Sequence, residues 1–332
     1  MMNETEAKDL VARAGRMLLS EGLVARTWGN VSCRIDENRM AITPSGLAYE
    51  NMTADDVVCL NMSSGEWEGR LPPSSEKGVH IAAYRGLDDG EFVIHTHQVY
   101  ASAIGLTGIE DLSLSVEEES ALGGIAMADY GLPGTKKLAQ NVAAALRGGA
   151  HSVLLARHGA VIVGKDHEET FQRARLLETV CRRACMGQPA DNLIFNKELA
   201  ENLVKYAKNK YEHVAFTSAS PVLACADGGK TIRAQLDDMA QMIGPRLPIV
   251  RPDEEAIVDA LVKKEAVLVP GVGAICRAFT DDDSAAMCLL AEKACISWLH
   301  TQAMGINKHL SWLDTRIMRS IYLKKYSKMT GG

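Results

Sequence analysis

Apolar residues recur at helical spacing near the start of the chain. Leu10, Val11, Ala14, Met17 and Leu18 share one face of a helix expected over residues 5–21, and Gly22 stands where a left-handed residue would stop it. Short apolar runs bounded by turn residues follow at 30–35, 40–43 and 57–62, and read as strands. Pro72-Pro73 leads into a helix whose start Ser74 or Ser75 can cap. A strand is expected over 92–97, a small-residue helix near 98–105, and a longer helix over about 135–147 after Pro133-Gly134. Apolar runs near 153–156 and 160–163 read as two further strands before a helix of roughly 167–187. Another helical pattern covers about 196–210, and Thr217-Ser218-Ala219-Ser220-Pro221 reads as a linker. This order predicts an α/β fold with a mainly antiparallel central sheet flanked by helices, plus a smaller C-terminal α/β domain. The regular βαβ rhythm of a doubly wound parallel sheet is missing.

The pattern also repeats. Val153-Leu154-Leu155-Ala156-Arg157-His158-Gly159-Ala160-Val161-Ile162 aligns without gaps on Val267-Leu268-Val269-Pro270-Gly271-Val272-Gly273-Ala274-Ile275-Cys276, at an offset of 114. The same offset superposes Glu178 on Glu292 and Cys181 on Cys295, and the helical patterns 138–146 and 254–262 match. The expected division is therefore a catalytic domain over 1–213 and, over 214–332, a degenerate partial repeat of it. Val272 stands where His158 does, so the second copy has lost that histidine.

Composition narrows the function. The chain of 332 residues carries a net charge of −6, and its one basic cluster, Lys324-Lys325-Tyr326-Ser327-Lys328, reads as a solvated helix end, so no nucleic-acid partner is expected. No apolar stretch approaches the ~18 residues needed to span a bilayer, and no secretory leader is recognised, so no membrane partner is expected either. Eight scattered cysteines without a CxxC pair fit a reduced, cytoplasmic protein.

His95-Thr96-His97 closes the apolar run Phe92-Val93-Ile94. Residues two apart on a strand point to one face, so both imidazoles project side by side. Glu76 lies upstream at the start of a helical pattern, and the second apolar run delivers His158 at its end. Three imidazoles and a carboxylate at element ends suit a divalent transition metal, Zn2+ above all, with Mn2+, Co2+ or Fe2+ as alternatives. His80, four residues from Glu76, shares its helix face and is assigned to support the ligands or to helix packing. His151, His167, His213, His300 and His309 have no comparable setting and are expected at the surface. Small polar residues at turns, namely Thr27, Gly29-Asn30, Ser45-Gly46 and Ser74-Ser75, read together as a cradle for a phosphate or carboxylate. Any one of them alone is ordinary turn chemistry.

Taken as a set, Gly29-Asn30-Val31-Ser32-Cys33-Arg34, Ile42-Thr43-Pro44-Ser45-Gly46, Pro73-Ser74-Ser75-Glu76, His95-Thr96-His97 and Leu154-Leu155-Ala156-Arg157-His158-Gly159 resemble the class II aldolase/adducin family, of which L-fuculose-phosphate aldolase is a member. The likeness extends over about residues 5–213. It implies that His95, His97 and His158 hold a metal, with Glu76 a fourth ligand or the catalytic acid/base. It implies phosphate binding by Asn30, Ser45, Gly46, Ser74 and Ser75, with Thr27 beside them. Asp129-Tyr130-Gly131-Leu132-Pro133-Gly134-Thr135 matches the family segment whose tyrosine donates a proton from a neighbouring subunit, which gives Tyr130 that role. A second family tyrosine, in the tail, corresponds to either Tyr206 or Tyr211, because the extra domain displaces the tail.

The activity this implies is metal-dependent cleavage of a small phosphorylated ketose between C3 and C4, through an enediolate stabilised by the metal. Glu76 would move the proton at the enediolate carbon, and Tyr130 would serve the aldehyde oxygen. The same site would also serve dehydration, epimerisation or decarboxylation, and a non-catalytic scaffold of the adducin kind is a third class. A homo-oligomer, tetramer or dimer, is expected, because family sites lie at subunit interfaces.

Overall fold

The computed structural model describes residues 2–110, 112–187, 189 and 193–325. Tyr326, Ser327 and Lys328 of the basic cluster lie outside the described residues. The chain divides into two compact units, Met1–Ala184 and Cys185–Gly332.

The first unit opens with the helix Glu4–Ser20, started by a capping box in which Asn3 accepts from the Glu6 N–H and Glu6 accepts from Asn3. Eight strands follow: β1 Asn30–Arg34, β2 Arg39–Ile42, β3 Val58–Asn61, β4 Trp67–Glu68, β5 Phe92–Thr96, β6 Ile125–Ala128, β7 Ser152–Leu155 and β8 Gly159–Gly164. They form one sheet in the order β4-β3-β2-β1-β5-β8-β7-β6. Every pairing is antiparallel except β6 with β7, which is parallel.

The central strands read as continuous apolar runs because both faces of the sheet are covered. Phe92, Ile94, Leu154, Ala160 and Ile162 pack on one side against the helices Glu4–Ser20 and His167–Ala184. Their alternate neighbours Val93, Val153, Leu155, Val161 and Val163 pack on the other side, against Val79 and Ala83 of the helix Lys77–Gly86 and Leu138 and Val142 of the helix Lys136–Leu146. Period-two alternation therefore turns His95 and His97 to the Val93 side, where the helix Lys77–Gly86 begins.

The second unit contains β9 Val214–Thr217, β10 Ile232–Arg233, β11 Arg246–Leu247, β12 Ala266–Val269 and β13 Gly273–Arg277. β12, β13 and β9 form an antiparallel sheet in that order, and Ile249 bridges Leu268 in parallel on the outer side of β12. This reproduces the order β6-β7-β8-β5 of the first unit. The hairpins correspond in register: Leu155 faces Gly159 as Val269 faces Gly273, and Thr96 faces Ala160 as Thr217 faces Ala274. In each, a Cβ on the glycine would collide with the carbonyl of the facing threonine, Thr96 for Gly159 and Thr217 for Gly273. The following helices also start alike, Gln98 at φ −55, ψ 144 and Ala219 at φ −54, ψ 142.

Two expectations about this region need correction. The helix Lys197–Lys208, assigned from the sequence to a first domain of 1–213, belongs to the second unit. It buries Ala200, Leu203 and Ala207 in one cluster with Ile257, Leu261 and Val267, where each leucine contributes about 2 kcal/mol. The stretch 217–221 is no linker, since it ends β9 and starts the helix Ser220–Asp227, with Pro221 in its first turn. All eight cysteines are buried, and no described helix is long and apolar enough to cross a membrane.

Candidate metal centre

Three element ends meet above the middle of the eight-stranded sheet. Glu76 is the N-cap residue of the helix Lys77–Gly86, its N–H donating to Ser74 Oγ at 3.2 Å. The cap is therefore Glu76 itself, not Ser74 or Ser75 as expected. β5 carries His95, and His97 lies just beyond the strand, its N–H donating to the Leu23 carbonyl at 3.1 Å. His158 sits in the tight β7–β8 connection, its N–H donating to the Leu155 carbonyl at 3.1 Å.

The ligand atoms of Glu76, His95, His97 and His158 all lie within 4.8 Å of one another. His95 Nε2 is 3.0 Å from His158 Nε2, 3.1 Å from His97 Nε2 and 3.2 Å from Glu76 Oε2, and His158 Nε2 is 3.4 Å from Glu76 Oε1. His95 Nδ1 donates to the Ala160 carbonyl at 2.9 Å, which leaves Nε2 as the lone-pair nitrogen and fixes the ring. Neutral imidazole nitrogens this close, with lone pairs converging on one point, fit a cation: zinc–nitrogen bonds of 2.0–2.1 Å in a tetrahedron set ligand nitrogens about 3.3 Å apart. Burial would raise the Glu76 carboxyl, but its electrostatic interactions with His95 and His158 and its contact with His95 outweigh that and hold the group well below the usual carboxylate range.

A buried hydrogen-bond chain supports the carboxylate from behind. Asn30, which faces His95 across the β1–β5 pair, directs its Nδ2 at Glu76 Oε2 at 3.4 Å. Its Oδ1 then faces His80 Nε2 at 2.5 Å, His80 Nδ1 faces Ser32 Oγ at 2.6 Å, and Ser32 Oγ faces the Tyr84 hydroxyl at 2.8 Å. An ionised carboxylate only accepts, so one donor order satisfies every contact: Tyr84 to Ser32, Ser32 to His80, His80 to Asn30, Asn30 to Glu76. Burial, with His95 nearby, pushes the His80 imidazole down to about 3, so it stays neutral and can both accept and donate. The sequence reading placed His80 correctly but missed Ser32 and Tyr84. The signal was present, because Glu76, His80 and Tyr84 are spaced four apart along one helix face.

The small polar residues are partly gathered here. The Ser45 N–H donates to the Pro72 carbonyl at 2.9 Å and the Ser74 N–H to the Thr43 carbonyl at 3.0 Å, and Pro44 bridges Pro73. These bonds zip the Ser45-Gly46 turn to the Ser74-Ser75 turn that leads into Glu76. Ser45 and Gly46 are half-buried, Ser74 is buried and Ser75 is exposed. Thr27 is half-buried in the turn before β1. Tyr130 follows β6 by two residues, and its ring lies 5.7 Å below the guanidinium carbon of Arg157. Tyr206 and Tyr211 both fall in the second unit, where the Tyr211 hydroxyl donates to the Val258 carbonyl at 3.0 Å. Of the histidines expected at the surface, His300 is buried instead and accepts from the Met186 N–H at 3.0 Å.

Residues 9–185 match the family model described as the Class II Aldolase and Adducin N-terminal domain. The chain is 35% identical over 212 residues to the 5-deoxy-D-ribulose 1-phosphate aldolase of Bacillus thuringiensis serovar kurstaki, a match covering 62% of this chain and 96% of that one. It is 30% identical over 229 residues to an L-ribulose-5-phosphate 4-epimerase of Salmonella paratyphi B, covering 61% and 96%. Among solved structures, an L-fuculose 1-phosphate aldolase superposes with a TM-score of 0.50 at 31% identity, over 54% of this chain and 84% of that one. With the family match spanning the whole eight-stranded unit and its metal-ligand cluster, the chain belongs to the class II aldolase/adducin family.

Proposed function

We propose that the first unit is a zinc-dependent aldolase that cleaves a small phosphorylated ketose. The observation that carries this reading is the convergence of Glu76, His95, His97 and His158 within 4.8 Å at the ends of three elements. His95, His97 and His158 would hold the ion, which when bound supplies Lewis acidity at the substrate's carbonyl. Three protein imidazoles leave coordination positions for a substrate carbonyl and its adjacent hydroxyl.

The chain's own groups divide the remaining work. The turns carrying Ser45, Gly46, Ser74 and Ser75, with Asn30 and Thr27, present hydroxyls, an amide and backbone N–H groups to the phosphate. Cleavage breaks the C3–C4 bond, leaves its electron pair on the ketose fragment and releases the other half as an aldehyde. As the C4 hydroxyl gives up its proton, C3 gains one: Glu76, held in place by the Asn30 amide, would deliver it as the carboxylic acid and, in the condensation direction, take it back as the carboxylate. Tyr130 handles the proton at the aldehyde oxygen, donating it when the reaction runs toward condensation.

The 30% match to an epimerase supports a second reading in which the same site breaks and remakes that bond with inverted stereochemistry. Metal-loaded protein incubated with phosphorylated ketoses separates the two. Release of an aldehyde and a three-carbon keto phosphate supports the aldolase, whereas interconversion of pentulose phosphates without net cleavage replaces it with the epimerase. We also propose that residues 185–332 are a degenerate copy of the strand-helix units around β5–β8, that this copy holds no metal, and that the chain assembles as a homo-oligomer. Light scattering on the intact chain checks the assembly.

A further inference from the structure

The β7–β8 and β12–β13 connections share one backbone. Among the described residues only Arg26 and Arg157 are non-glycine residues with positive φ. Arg157 lies at φ 64, and the corresponding position of the second hairpin is Gly271 at φ 68. The fold thus demands a left-handed residue at this point in both hairpins, and glycine meets that demand without a Cβ clash. The first unit nevertheless places an arginine there.

The surroundings show what accompanies the exchange. Strand register makes Phe216 the counterpart of His95, Ser218 of His97 and Val272 of His158. The parallel bridge Ile249–Leu268, set against Met127–Leu154, makes Pro252 the counterpart of Tyr130. Where the imidazoles and the tyrosine are lost, the strained residue is lost with them. Where they are present, the Arg157 guanidinium stands 5.7 Å over the Tyr130 ring, one residue from His158. A cation over an aromatic face attracts it, and the planar guanidinium also stacks.

We propose that Arg157 is a positioning residue for Tyr130: it pins the phenol ring against the turn that carries His158, and its left-handed backbone is strain retained for that purpose. The proposal rests on the aldolase reading only for the role of Tyr130. Its placement of the ring stands apart from any activity.

Arg157→Gly removes the guanidinium and relaxes the backbone together. Its melting temperature should rise by roughly 2 °C or more, since a non-glycine residue in this region is strained. The reciprocal Gly271→Arg, whose added Cβ has no atom within 4 Å, should lower the melting temperature by a similar amount. Zinc content should stay unchanged in both. With 3-fluorotyrosine at position 130, the fluorine resonance should shift and broaden in Arg157→Gly, and move only partly in Arg157→Lys. Retro-aldol kcat should fall about 10–100-fold in Arg157→Gly with KM nearly constant, as expected when a reacting group is misplaced by about an ångström, and Arg157→Lys should recover part of it. A fall in melting temperature for Arg157→Gly overturns the proposal by making the arginine an ordinary packing residue. An unmoved fluorine line overturns it as well. If the wild-type protein cleaves no ketose phosphate, the aldolase reading fails, while the melting and fluorine results still decide the role of Arg157.

Discussion

The β7–β8 hairpin and the β12–β13 hairpin share their register and a left-handed position in the connection, yet one ends in a cluster of three imidazoles and a carboxylate and the other in apolar packing. Val272, at the His158 position, is fully buried in the core cluster of its unit. The backbone geometry therefore does not depend on the histidine or on an ion. It comes from the strand pairing, the glycine that admits the facing threonine carbonyl, and the helix packed behind. The clustered imidazoles are additions to a frame that closes without them.

The largest test of that contrast is His158→Val, which installs the residue its counterpart hairpin already uses. Bound zinc should fall from about one equivalent to near none by elemental analysis, and turnover should drop by roughly 10³-fold or more. The circular dichroism spectrum should be unchanged, and a collapse of the fold would break the comparison. Next in size, Glu76→Gln should retain the metal while kcat drops about 10²–10⁴-fold, the range for losing a positioned acid/base. Full turnover with metal bound would remove Glu76 from the chemistry.

A smaller effect is expected from Ser32→Ala, which deprives His80 Nδ1 of its donor while leaving the ligands in place. Turnover should fall about 10-fold, within the range for groups that orient metal ligands. Nitrogen NMR of His80 should change from a single Nε2–H tautomer to a mixture. An unchanged tautomer would mean that the donor order does not run through Ser32.

The last effect concerns stability against pH rather than turnover. His80 takes a proton only near pH 3 when folded, against about 6.5 when unfolded, so below pH 6.5 the unfolded chain binds the extra proton. Stability should fall as pH drops from 6.5 toward 3, by up to about 1.4 kcal/mol per unit from this group. Urea unfolding of metal-free protein should show a shallower acid slope in His80→Gln. Equal slopes would show that His80 shares its unfolded proton affinity.

What could be read from the chain divides along the same line. That Glu76, His95, His97 and His158 come together was legible because each ends an apolar run or opens a helical one. The chain behind them was not, since Ser32 and Tyr84 are unremarkable until the strand and helix are superposed. The boundary at 213 failed because the amphipathic helix Lys197–Lys208 carries no mark of which core it joins. The 217–221 stretch failed because a serine-rich helix start has the composition of a linker. β6 escaped notice because Ile-Ala-Met-Ala has one branched residue, no aromatic one and two alanines, too weak a signal for a strand.

The sheltered thiols give the molecule its own reporters. Cys33 and Cys59 lie on the sheet of the first unit, and Cys276 and Cys295 lie on β13 and on the helix Asp281–Ala303 of the second. Each is buried, so a thiol reagent can reach it only when its neighbourhood opens. Labelling rates followed cysteine by cysteine would time the opening of each unit separately. They would show whether the unit that carries the Glu76, His95, His97 and His158 cluster opens more often than the other.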